Sequence, residues 1–266
     1  MNDTEPGHRV LPGGDASPVI LHVPHAAIAI PADVRAGLLL DDVELAAELA
    51  AMTDAHTDLI AAYAADAARL RPWSLVNGLS RLVVDPERFP DEREPMIAVG
   101  MGAVYTRTSA GAPLRADDPA AAKALVERWF DPYAAAMTEL VDARLAATGR
   151  AVIIDVHSYP RERLPYEIGG VERPEVCLGT DSAHTPPWLV EAARSAFADY
   201  DAAFDSPFAG CYVPLKHHGK DTRVHGLMIE LRRDGYSVEP GGPPTEGLAA
   251  VGAALARLVD ACAALA

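Results

Sequence analysis

Cysteine is scarce in this chain. Its 266 residues include three, Cys177, Cys211 and Cys262, far apart and without paired spacing. That argues against a disulfide framework and a cysteine-built metal knuckle. It is the pattern expected in a reducing cytoplasm. Basic charge is also short: 23 Lys and Arg stand against 38 Asp and Glu, a formal net charge of -15. Such a surface repels phosphate backbones and anionic membranes, so neither nucleic acid nor membrane is an expected partner. A small anionic substrate stays open, because a local group of arginines can oppose the global field. No apolar run approaches the length of a membrane span. The opening stretch "MNDTEPGHRVLPGGDASP" lacks the apolar centre of a signal peptide. Residues 1–17 are expected to be a flexible lead-in to a single catalytic domain over 18–266.

What is present is a globular composition, 50% hydrophobic and 23% charged. Val19–Val23 and Val152–Val156 read as buried strands. Val176–Gly179, Gly210–Pro214 and Gly226–Leu231 read as further strands. Ser74–Val76 and Arg81–Val84 are short strand candidates around an Asn77-Gly78 turn. Helices are expected over Asp41–Leu70, from Asp118-Pro119 to Thr148, from Pro186/Pro187 to Ala198, and over Thr245–Leu265. Pro86 to Pro119 has little periodicity, which marks a functional or mobile loop. Strands alternating with long helices predict a three-layer α/β/α sandwich on a mixed, largely parallel sheet.

In such sheets, sites lie beyond the carboxyl ends of the strands. Three strands end in groups able to do chemistry: "LHVPHAA", "IIDVHSYP" and "GLMIELRR". His22 and His25 are oddly spaced and face opposite sides of a strand, so they do not share one metal. His25, beyond the proline, is the better ligand; the alternative is a turn histidine satisfied by backbone. Asp155 and His157 share a face, where a carboxylate either orients the imidazole or joins it on a metal. A pair satisfied by loop amides is the other option. Asp54 and Asp58, four apart, share a helical face and read either as ligands or as a solvated acidic face. Glu230 sits in an apolar strand. It is either paired with Arg232 or Arg233, or has the raised pKa of a general acid and base. Two histidines, a carboxylate and a separate glutamate describe a catalytic zinc site with an open position.

These residues lie within longer stretches that resemble the N-formylglutamate amidohydrolase family. The resemblance runs through "VPHAA", "MTDAHTDLI", "SRLVVDPERFPDE", "VYTR", "IDVHS", "CLGTD", "FAGCYVPLKHHG" and "GLMIELRRDGY", in order over most of the chain. It implies a fold similar to zinc carboxypeptidases and zinc amidases. It implies hydrolysis of the N-formyl or N-acyl amide of an acidic amino acid, giving formate and glutamate in the type reaction. The metal ligands it implies are His25, Asp54 (in preference to Asp58) and His157, with one zinc ion per chain and Glu230 as proton shuttle. Arg81, Arg107 and Arg233 match family arginines and suit a small anionic amino-acid substrate. Lys216 and His217 lie in a stretch expected to cover it. Asp85 and Arg88 are expected to pair and hold the clamp loop. The chain departs from the family at Ala26-Ala27, at Glu87 in place of an amide, and at Arg232 in place of an asparagine. Those departures leave other acyl amino acids open as substrates. A carboxypeptidase-like or amidase activity on a peptide and a noncatalytic carboxylate-binding module are the alternatives. His and carboxylate ligands also suit Mn, Fe and Co.

Overall fold

The computed structural model describes residues 7–167 and 172–264. Leu265 and the first six positions lie outside them. Among the described residues, one sheet of seven strands forms. Its strands are β1 (His8–Leu11), β2 (Val19–Val23), β3 (Trp73–Asn77), β4 (Ala151–Tyr159), β5 (Val176–Gly179), β6 (Ala202–Phe204) and β7 (Val224–Arg232). The order is β1-β3-β2-β4-β7-β5-β6. The central pairs β3/β2, β2/β4 and β4/β7 are parallel, and β1/β3 and β5/β7 are antiparallel. The sheet is therefore mixed and largely parallel, as expected.

Alternation along the strands divides the core into two layers. Val152, Ile154 and Val156 of β4 pack with Ile60 and Ala64 of helix α3 (Thr57–Ala67), Leu189 of α6 (Pro187–Ala196), and Leu255 and Val259 of α7 (Gly247–Ala264). Ile20, Leu75, Ile153 and Val224 face the other way, onto Met137, Leu140 and Val141 of α5 (Asp131–Thr148). His22, Asp155, His157 and Glu230 share that second face by parity. They stand nearer the carboxyl ends of β2, β4 and β7 than the apolar residues α5 covers. By length and composition α7 could cross a membrane, but its apolar face is buried on the sheet.

Four expectations differ from the structure. His8–Leu11, expected in a loose lead-in, is an edge strand registered on β3. Arg81–Val84 forms turns, and Gly210–Pro214 runs without ladder pairing. The helix expected over 41–70 is two helices, α2 (Asp42–Met52) and α3. Asp41 opens α2 with a capping box, accepting from Val43 and Glu44 N–H while Glu44 accepts from Asp41 N–H. Its break comes at Thr53–His56, where His56 takes a left-handed φ of 64°. Asp54 lies in that break, not on a helical face.

Candidate metal centre and active site

The break between α2 and α3 is tied to the end of β2. Asp54 N–H donates to the His25 carbonyl at 3.0 Å, and Thr57 Oγ1 donates to the Asp54 carbonyl at 2.9 Å. Asn77 Nδ2 donates to the Pro24 carbonyl at 2.9 Å and fixes the turn that carries His25. Those ties aim three buried side chains at one point. His157 Nδ1 lies 3.0 Å from Asp54 Oδ2, His25 Nδ1 lies 3.3 Å from His157 Nδ1, and His25 Nδ1 lies 3.6 Å from Asp54 Oδ2. Donors held at about 2.0–2.1 Å by one tetrahedral ion stand about 3.3–3.4 Å apart. The triangle therefore fits a single small divalent cation.

The far side of each imidazole fits the same role. His25 Nε2 is 2.9 Å from Asp85 Oδ1, and His157 Nε2 is 2.9 Å from Asp155 Oδ1 and 3.1 Å from Glu87 Oε2. With a cation in the triangle, the carboxylate behind each ring would hold the proton on Nε2 and leave the Nδ1 lone pair free to ligate. Asp155 therefore stands behind the ring of His157, where an orienting carboxylate would stand. Its Oδ1 also meets His22 Nδ1 at 2.8 Å, and its Oδ2 accepts the Tyr212 N–H at 3.2 Å. Asp58 sits half-buried in the first turn of α3, away from the cavity.

His22 is wholly buried beneath this layer, between Asp155 and the Tyr133 hydroxyl at 2.6 Å. Burial alone would depress its pKa, but the charge and hydrogen bond of Asp155 outweigh it and raise it to about 9. An unfolded histidine titrates near 6.5. The stabilisation from this pair is therefore complete below about pH 6.5 and is lost as pH rises through 9. In metal-free protein, the difference in melting temperature between wild type and His22→Gln should narrow from pH 6 to pH 9.5. A difference independent of pH would remove the ion pair from the account.

Glu230, in register with His157 on the neighbouring strand, opens onto the same cavity. Its Oε2 is buried and has no hydrogen-bond partner among the described residues. Burial raises its pKa to about 8 against the opposing pull of His157. The alternative pairings with Arg232 and Arg233 do not form. Arg232 turns to Asp234 at 2.7 Å, and Arg233 donates to Ser158 Oγ at 3.1 Å and the Ala51 carbonyl at 2.9 Å.

The cavity over these groups has a volume of about 400 Å³. Arg81, Arg88 and Arg233 all line it. Arg81 donates to Asp85 at 2.7 Å and to the Tyr105 hydroxyl at 3.0 Å, and its Nη1 is 3.9 Å from Asp54. Arg233 donates to backbone and Ser158, and its Nη2 also lies 3.7 Å from Asp54 Oδ1. Arg88, expected only to hold the loop, is a pocket cation: its Nε lies 3.4 Å from Asp85 Oδ2 but makes no hydrogen bond. Glu87, expected only as a departure from the family pattern, also lines the cavity.

Three expected substrate contacts lie outside this cavity. Arg107 is exposed and donates to the Gly111 carbonyl at 3.0 Å, because a short bridge between Arg107 and Pro113 turns it to solvent. Lys216 and His217 are drawn to Asp142 of α5, at 2.6 and 3.0 Å.

The sequence model of the N-formylglutamate amidohydrolase family matches residues 17–237. Among solved structures, N-formylglutamate amidohydrolase from Ralstonia eutropha JMP134 is 22% identical, with a TM-score of 0.80 over 98% of both chains. The gene product Atu2144 from Agrobacterium tumefaciens is 19% identical, with a TM-score of 0.73 over 100% of this chain and 98% of that one. At those identities the two structures show a shared fold. No curated protein matches the chain.

Proposed function

Since the chain belongs to the N-formylglutamate amidohydrolase family, we propose that it hydrolyses the N-acyl amide of an acidic amino acid, with N-formyl-L-glutamate as first substrate. The observation that carries the reading is a triangle of buried donors facing a buried, unpartnered glutamate in one arginine-lined cavity. His25, Asp54 and His157 would hold a divalent ion, zinc first among the candidates. When bound, that ion supplies Lewis-acid polarisation of the amide carbonyl and a lowered pKa for water.

The remaining chemistry belongs to the chain. Asp85 and Asp155 keep the two imidazoles in the ligating tautomer. Glu230 accepts the proton from the attacking water and delivers it to the departing amine nitrogen. Water adds to the formyl carbon, the C–N bond breaks, and formate and glutamate leave. Arg81 and Arg88 face the substrate carboxylates, Arg88 with the less committed guanidinium. The three free cysteines fit a reducing compartment. A binding module without chemistry has no use for an unpaired buried Glu230, so the hydrolytic reading is preferred.

Formate release from N-formyl-L-glutamate, measured with added zinc and again after chelation, tests the proposal. Formation of formate that stops on chelation is the expected result; no formate from metal-loaded protein would sink it. Arg88→Ala should raise KM about 10- to 100-fold, the loss of one charge-assisted hydrogen bond, with a smaller change in kcat. An unchanged KM would take Arg88 out of the substrate site.

A further inference from the structure

The cavity over the donor triangle has a neighbour. A second cavity, of about 290 Å³, shares four wall residues with it: Glu87, Arg88, Cys211 and Tyr212. Beyond that common wall its lining is mainly apolar, with Phe89, Phe130, Ala134, Val213, Pro214 and Leu215; Thr138, Lys216 and His218 are its polar members, Lys216 paired with Asp142 at 2.6 Å and His218 edge-on to the Phe89 ring. Phe130 and Ala134 come from the helical stretch that covers this face of the sheet. Leu215 remains 40% exposed, and Phe89 is half-buried.

The formyl group of N-formylglutamate leaves the apolar lining of this space unfilled. Its formyl carbon carries only hydrogen beyond the carbonyl, and its two carboxylates seek cations. Arg81 and Arg88 both meet Asp85 in the wall of the first cavity; Arg88 also borders the second, whose other cation, Lys216, is held by Asp142. At about 400 Å³ that cavity already falls within the range of small-molecule sites, about 300–1,000 Å³. An apolar compartment beside an amide-cleaving centre is suited to an apolar group attached to that amide. Each methylene withdrawn from water there would strengthen binding about fourfold.

We infer that the second cavity is an apolar subsite of the active site, taking a substrate substituent larger than the formyl hydrogen. The substituent is the chain of an N-acyl group or the side chain of an apolar amino acid. This rests on the amidohydrolase reading and widens its substrate class to apolar acylamino acids.

Two substrate series separate the sources. One carries formyl, acetyl, butanoyl and hexanoyl groups on L-glutamate; the other carries formyl on L-alanine, L-leucine, L-methionine and L-phenylalanine. With zinc-loaded protein, kcat/KM should climb along one series, by about fourfold per methylene. The series that climbs identifies which half of the substrate enters the cavity. Ala134→Phe and Thr138→Phe, two separate fillings of the cavity, should abolish the climb and leave N-formylglutamate turnover unchanged. A flat or falling profile in both series overturns the subsite. If no compound is cleaved, the amidohydrolase reading fails on its own account, and calorimetry of the same compounds decides the subsite. Affinity that grows with chain length and is lost in Ala134→Phe supports it; affinity indifferent to chain length overturns it.

Discussion

Glu230→Gln is expected to lower kcat about 100- to 10,000-fold, the range for loss of a positioned general acid–base. Metal content should stay that of the wild type. Glutamine keeps the volume and stem of the side chain, so the packing around β7 survives. It cannot accept a proton from water and pass it on. Glu230 is outside the donor triangle, which leaves the proposed ligands unaltered. Because Oε2 has no partner among the described residues, the introduced amide displaces no hydrogen bond seen at that oxygen. The base must be ionised to act, so activity should rise with pH through its pKa. Burial holds that pKa near 8 in the metal-free protein, and a cation in the triangle would pull it lower. The acidic limb of the kcat/KM profile should therefore disappear in the variant. Formate release alongside elemental analysis checks both halves. A Gln variant that turns over normally would remove Glu230 from the chemistry.

The strand ends were legible because burial and charge conflict there. Asp155, His157 and Glu230 sit in apolar strands where a charge without a purpose costs several kcal/mol, about 2–7 for even a neutral polar group. Asp54 was legible as a motif, but its helical placement was wrong. Alanine-rich sequence on both sides conceals the break, which is fixed by a long-range tie from Asp54 to His25 and a local one from Thr57 to Asp54. Arg88 and Glu87 lie in a loop without periodicity, so no pattern reports which way their side chains point. Arg107 matched a family motif, yet a local bridge sends it to solvent. Lys216 and His217 are captured by Asp142, a long-range pairing that neither local spacing nor hydrophobic pattern encodes. The edge strand β1 is short and half-exposed, and it gains its ladder only once β3 is present.

His157→Ala should remove the bound metal altogether and reduce turnover to background. His157 occupies two positions in the network at once. Its Nδ1 completes the donor triangle with His25 and Asp54, and its Nε2 meets Asp155 and Glu87. Removing the ring leaves two ligands for a cation that requires at least three from the protein. It also removes the ring that stands between Asp54 on one side and Asp155 and Glu87 on the other. The graded comparison is Asp155→Asn. It keeps the ligand but loosens the carboxylate behind it, and should weaken metal affinity only about 10- to 100-fold. Elemental analysis of the wild type should give one equivalent of metal per chain. His157→Ala should give none, and Asp155→Asn should recover its metal when zinc is raised. If His157→Ala keeps its metal, the ion sits elsewhere, and the triangle becomes a hydrogen-bonded strand end with no part in catalysis.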